Sequence, residues 1–189
     1  MSKNVYAVLG ASGHSDYTRA EHDYYATNPI TVPELLGVEE FKGSVWEPFC
    51  GEGHISKELE KQGYQVTSSD LIERGYGEGG KDIFKCSVKE ADNVISNPPY
   101  NLALESVEHL LNLGVGKIAM FLKITFLESQ KRYQFFMDNP PKKVWVYSGR
   151  RTVARNGDEK MFQASSAICY AWFVWEAGYK GSPEIGWIL

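Results

Sequence analysis

Apolar residues recur at two spacings along this chain, and the spacing alternates from segment to segment. Residues 44–49, 64–69, 92–96, 117–123, 143–148 and 168–175 are short runs rich in Val, Ile and aromatic residues, which predict strands, and 82–84 predicts a further short one. Residues 31–41, 55–62, 102–113 and 127–137 carry apolar positions at helical spacing, and Gly43, Gly63, Gly114 and Pro140 stop them. Strands alternating with helices imply right-handed βαβ units and an α/β fold with a mostly parallel seven-stranded sheet. The last two predicted strands are joined by a loop alone, residues 149–167, so they are most simply antiparallel to each other. With no internal repeat or low-complexity linker, 1–189 reads as a single domain whose first thirty residues are loop. In such sheets ligands sit beyond the carboxyl ends of the strands.

Composition narrows the class. The chain is 43% hydrophobic and 13% aromatic, which supplies a core and excludes disorder. No run approaches the roughly 18 apolar residues of a spanning helix, and residues 1–4 lead into no signal-peptide pattern. Cys50, Cys86 and Cys169 are far apart, which suits a reducing cytoplasm and argues against disulfides or structural zinc. His14, His22, His54 and His109 have no metal-ligand spacing and read as surface or packing residues. Charge is uneven: residues 1–116 hold 9 Lys and Arg against 18 Asp and Glu, and residues 117–160 hold 10 against 4. A basic block in an acidic protein is a candidate polyanion footprint or a solvated surface.

The first strand runs into Glu47-Pro48-Phe49-Cys50-Gly51-Glu52-Gly53-His54, which opens a helix. Glycines there let backbone approach a ligand, and the helix start offers free N–H groups. The second strand ends at Ser69-Asp70, with Leu71 following, where an acid can bind both ribose hydroxyls. The third glycine of a pyrophosphate loop is absent, and Glu47 and Glu52 would repel a pyrophosphate but tolerate a cation. S-adenosylmethionine (SAM), a phosphate-free sulfonium, fits that turn better than a dinucleotide. Val8-Leu9-Gly10-Ala11-Ser12-Gly13 resembles a second nucleotide turn, but no helical pattern follows it.

The fourth strand ends in Asn97-Pro98-Pro99-Tyr100. Asn97 offers a side-chain carbonyl, and Pro98, restrained by Pro99, offers a main-chain carbonyl with no competing N–H. Two fixed acceptors can take both hydrogens of one NH₂ group, and Tyr100 supplies a ring for a flat base.

With these residues the chain resembles SAM-dependent N6-adenine DNA methyltransferases, amino-methyltransferases with an Asn-Pro-Pro-Tyr motif, of the small phage and prophage type. Asp23-Tyr24-Tyr25-Ala26-Thr27-Asn28-Pro29 is similar to the family's N-terminal motif, so residues 1–30 are expected to close over the cofactor, with Tyr25, Thr27, Asn28 and Pro29 near it. Glu47 to Gly53 matches the SAM turn, Asp70 the ribose acid, and Asp82 with Ile83 the segment that reads the cofactor adenine. The resemblance implies the class I, Rossmann-like methyltransferase fold with an antiparallel last strand, SAM as cofactor and DNA as substrate, with no metal and no membrane. Twelve residues separate Phe84 from Asn97, leaving no room there for a recognition domain. Loop 149–167, with Arg150, Arg151, Arg155 and Phe162, is therefore the candidate substrate segment, with Lys160, Lys131, Arg132, Lys142 and Lys143 around it. RNA adenine, a protein glutamine, or SAM binding without turnover are the alternative readings.

Overall fold

The computed structural model describes residues 24–163 and 167–189. In chain order the elements are β1 (Tyr25–Thr27), α1 (Thr31–Leu36), β2 (Val45–Glu47), α2 (His54–Lys61), β3 (Val66–Ser68), β4 (Asn93–Ser96), α3 (Ala103–Asn112), β5 (Lys117–Lys123), α4 (Gln130–Asp138), β6 (Lys143–Tyr147), β7 (Val153–Arg155), β8 (Tyr170–Glu176) and β9 (Glu184–Ile188). Seven strands form one sheet in the order β3-β2-β4-β5-β8-β6-β9. β3, β2, β4 and β5 are mutually parallel, β8 runs antiparallel to both β5 and β6, and β9 is parallel to β6.

Alternation along the central strands builds two apolar layers. Ile118, Met120 and Leu122 of β5, with Ala171, Phe173 and Trp175 of β8, pack with Ala103, Val107 and Leu110 of α3 and Phe135 of α4. Ala119 and Phe121, with Tyr170, Trp172 and Val174, pack with Val32 and Leu35 of α1 and Ile55 and Leu59 of α2. Truncating one such buried leucine to alanine costs about 2–5 kcal/mol.

Three elements differ from the sequence expectation. Residues 82–84 are not a strand: Ile83–Lys85 is a 3₁₀ turn, because the Asp82 carboxylate caps it by accepting the Phe84 N–H at 3.0 Å. The seventh strand is instead β9, so the antiparallel β8 is not the last. β9 rests on Gly186, whose absent Cβ makes room for the Trp145 ring; an added Cβ would lie 2.1 Å from it. Residues 25–27 and 153–155, both expected as loop, pair with each other as β1 and β7 in a separate two-stranded ribbon, Tyr25 opposite Arg155 and Thr27 opposite Val153. Asp23 and the 8–13 segment lie outside the described residues. No helix among the described residues is long and apolar enough to cross a membrane.

Candidate active site

The parallel strands bring the carboxyl ends of β2, β3 and β4 to one edge of the sheet, where they open into a cleft of about 470 Å³. That volume lies within the usual range for small-molecule sites, about 300–1,000 Å³. Its walls include Tyr25 and Thr27 from β1, Glu47, Phe49 and Cys50 after β2, Asp70 and Leu71 after β3, and Asn97, Pro98, Pro99 and Tyr100 after β4. Segments dispersed over more than seventy residues thus share one wall.

The turn after β2 needs its glycines. Gly51 and Gly53 have φ of +54° and +83°, and Gly53 leads directly into α2. The groups that approach them closely are side chains of the protein: a Cβ on Gly51 would meet the Tyr24 ring at 2.5 Å, and one on Gly53 the Tyr76 ring at 2.4 Å. The Tyr24 hydroxyl also accepts the Glu52 N–H at 3.3 Å, and the Arg74 guanidinium stacks over the Tyr24 ring at 4.1 Å.

Glu47 is buried at the mouth of this turn. Its carboxylate accepts the Ser56 N–H at 2.8 Å and the Ser56 hydroxyl. Burial pushes the carboxyl well above the usual range, and the two Ser56 bonds only partly oppose it. The Cys50 thiol is pushed up to about 12, chiefly by burial and then by the nearby Glu47, so it stays protonated at neutral pH. Asp70 Oδ2 accepts the Gly51 N–H and Oδ1 the Ile72 N–H, both at 2.9 Å, which ties the β3 turn to the β2 turn.

Asn97 carries the feature most suggestive of chemistry. Its Nδ2 donates to the Tyr25 carbonyl at 2.8 Å, and its Oδ1 is buried without a hydrogen-bond partner. A buried acceptor left unmatched costs about 1–3 kcal/mol, which an incoming donor recovers. Beside it the Tyr100 ring lies 5.6 Å from Tyr25, with the Lys123 ammonium 4.2 Å from its centroid, and the Tyr100 hydroxyl donates to Tyr170 at 3.1 Å.

Other candidate residues lie off the cleft wall. Asn28 forms the turn leading into α1, where its Oδ1 accepts the Ile30 N–H at 3.2 Å. Pro29 lines a smaller neighbouring depression, and Pro48 with Gly51 and Gly53 forms the turn behind the wall. Asp82 caps its 3₁₀ turn, and Ile83 is buried in the core against α3. Arg151 donates from Nε to Glu34 Oε2 at 3.0 Å and from Nη2 to the Leu189 carbonyl at 3.1 Å. Arg150 donates to the Ala167 carbonyl at 3.0 Å and to the Cys169 sulfur. Arg155 sits in β7, opposite Tyr25. Phe162 packs edge-on against His54 at 5.8 Å.

Within the surrounding basic block, Lys142 pairs with Glu176 at 2.7 Å, Lys143 with Glu184 at 3.8 Å, and Arg132 Nε donates to the Phe126 carbonyl at 2.7 Å. Sequence reasoning overlooked Ile72, Arg74, Asn101 and His54 on the cleft wall. The position of His54 directly after Gly53 was the available signal. It lies 3.1 Å from Glu159 of the 149–163 segment.

No known protein-family description matches the chain, and no curated protein matches it. Solved structures do. A predicted O-methyltransferase from Agrobacterium tumefaciens is similar with a TM-score of 0.59 at 10% identity, over 86% of this chain and 86% of that one. A dimethyladenosine transferase from Plasmodium falciparum is similar with a TM-score of 0.57 at 15% identity, over 81% of this chain and 62% of that one, so the match spans under two thirds of that relative's length. Magnesium protoporphyrin IX methyltransferase from Synechocystis, with bound SAM, is similar with a TM-score of 0.51 at 14% identity, over 79% of each chain. With its mostly parallel seven-stranded sheet and the antiparallel β8, the chain has the α/β, Rossmann-like fold of class I SAM-dependent methyltransferases.

Proposed function

We propose that this protein is a SAM-dependent methyltransferase that modifies an exocyclic amine, the N6 amino group of adenine in DNA. The observation that carries the reading is the unpartnered, buried Oδ1 of Asn97 on the wall of a cleft that also holds Glu47 and Asp70.

The residues present fit a cationic nucleoside cofactor. The acidic Glu47 and Asp70 on the cleft wall suit a sulfonium and an ammonium better than a pyrophosphate. Tyr25, Thr27, Glu47, Phe49, Cys50, Asp70 and Leu71 line the cleft and would hold it, with Pro48, Gly51 and Gly53 shaping the turn; Asn28, Pro29, Asp82 and Ile83, which the resemblance also implies, lie off the cleft wall. When bound, SAM supplies an electrophilic methyl group.

The chain's own contribution is positioning. An aromatic amine is a poor nucleophile because its lone pair is delocalised into the ring. Asn97 Oδ1 and the Pro98 carbonyl accept its two hydrogens and draw the nitrogen towards a tetrahedral shape, so the lone pair projects into the cleft. Tyr100 packs against the base and offsets part of the few kcal/mol spent unstacking it from a duplex. Orientation can supply up to about 7–11 kcal/mol of barrier lowering. No strong base is needed, because the N–CH₃ bond would form as the S–CH₃ bond breaks, and the resulting methylated ammonium is acidic and releases its proton to solvent. The 149–163 segment, with Arg150, Arg151, Arg155 and Phe162, is the proposed substrate side.

Adenine in RNA is the second reading, since one similar structure is a dimethyladenosine transferase and another a putative RNA methyltransferase. Incubation with methyl-labelled SAM and separate DNA, RNA and protein pools, followed by nucleoside analysis, tests both. Label in N6-methyladenine from DNA is the expected result. Label in RNA selects the second reading, and label on protein alone overturns both.

A further inference from the structure

We infer that β7 is a positioning element for Asn97, acting through the main-chain carbonyl of Tyr25: the segment proposed to meet the substrate also fixes which end of the Asn97 amide faces the target amine. The inference deepens the methyltransferase reading and rests on it.

Opposed residues of an antiparallel pair alternate between those that exchange main-chain hydrogen bonds and those that do not. The Asn156 N–H donates to the Tyr24 carbonyl at 3.0 Å, so Tyr24 and Asn156 are an exchanging pair. Two residues further on, Ala26 and Ala154 are the next such pair, and Tyr25 and Arg155 between them do not exchange. The Tyr25 carbonyl therefore points away from β7, and that carbonyl accepts the Asn97 Nδ2 at 2.8 Å.

This bond has a chemical consequence. With Nδ2 anchored, the amide can offer only Oδ1 to a ligand, and Oδ1 is the buried atom without a partner. A half-turn of the amide would aim two N–H donors at an amine that itself presents donors, and the acceptor would be lost. The β7 segment is braced elsewhere as well. Thr152 Oγ1 donates to the Phe162 carbonyl at 3.0 Å, and Glu159 meets His54 at 3.1 Å. A ligand that shifts this segment shifts the carbonyl on which Asn97 depends.

The test uses Ala154, which is buried and off the cleft wall. Ala154→Pro removes the N–H that the alternation assigns to the Ala26 carbonyl, and Ala154→Gly retains it. Two quantities are read on the full chain: hydrogen exchange of the Asn97 side-chain amide by ¹⁵N NMR, assigned by its loss in Asn97→Asp, and methyl-transfer kinetics. In Ala154→Pro the amide protons should exchange about 10-fold faster or more, and kcat should fall about 10-fold or more, with KM for SAM within about 3-fold. Ala154→Gly should keep kcat within about 3-fold of wild type. A folded Ala154→Pro with wild-type exchange and kcat overturns the inference. If that variant does not fold, the wild-type spectrum decides: slowed Asn97 exchange supports the inference, and exchange as fast as that of an exposed asparagine overturns it. Failure of the wild type to methylate any pool counts against the methyltransferase reading alone, because the exchange measurement needs no turnover.

Discussion

Asp70 Oδ2 accepts the main-chain N–H of Gly51 at 2.9 Å, so the acid expected to bind a ribose also braces the turn opposite it. Its other oxygen holds the Ile72 N–H at the same distance. Asp70→Ala should therefore weaken SAM binding by about 10-fold or more and also lower stability by roughly 2–3 kcal/mol, since two charge-assisted bonds are lost together. Calorimetric titration and chemical denaturation measure the two effects separately. An unchanged dissociation constant would remove Asp70 from the cofactor site.

Asn97→Ala should abolish methyl transfer and leave the SAM dissociation constant within about 3-fold of wild type, because the lost acceptor is the one proposed to hold the amine. Loss of both activities together would make Asn97 a structural residue.

Glu47 predicts a pH dependence. Its folded pKa is raised by burial above the unfolded value of about 4.3. Stability from this group is thus fully present below about pH 4.3 and is lost as pH rises through the folded pKa. In the ligand-free protein, Glu47→Gln should flatten that decline in thermal melts. A cation in the cleft favours the ionised carboxylate, so SAM should bind more tightly as pH rises across the same window, with proton release. Calorimetry in buffers of different ionisation heat counts that proton, and net uptake would show that Glu47 does not face the cofactor's charge.

Arg151 and Glu34 form a forked ion pair, with both side chains about one-fifth exposed. Arg151→Ala should cost about 1–3 kcal/mol of stability. The slope of nucleic-acid affinity against salt separates this role from phosphate contact. Arg151→Ala should reduce the slope by about one if Arg151 holds a phosphate as proposed, and an unchanged slope would remove Arg151 from the proposed substrate side.

Much of the site was legible because its signals are local. The turn at Glu47 to Gly53 and the tetrad at Asn97 to Tyr100 each sit at a strand end, and parallel strands carry all such ends to one edge. Most of what escaped depends on partners remote in sequence. Nothing near Arg151 announces Glu34, which is 117 residues away, and nothing near Lys117 announces Glu39, which it pairs with in the fold. Residues 82–84 look like a strand until Asp82 turns back to cap its own backbone. The Tyr25 carbonyl was invisible because register, not side-chain type, aims it at Asn97.

β8 enters the sheet between β5 and β6, although both are synthesised before it. During translation the open flank of β5 therefore has no neighbour until residues 170–176 leave the ribosome. A nascent chain halted before that point would hold the β3-β2-β4-β5 block with the β5 margin bare in addition to the β3 edge, a further template for mispairing. The C-terminal strands thus act as a late closing wedge, and chains arrested before residue 170 should aggregate where the full-length chain does not.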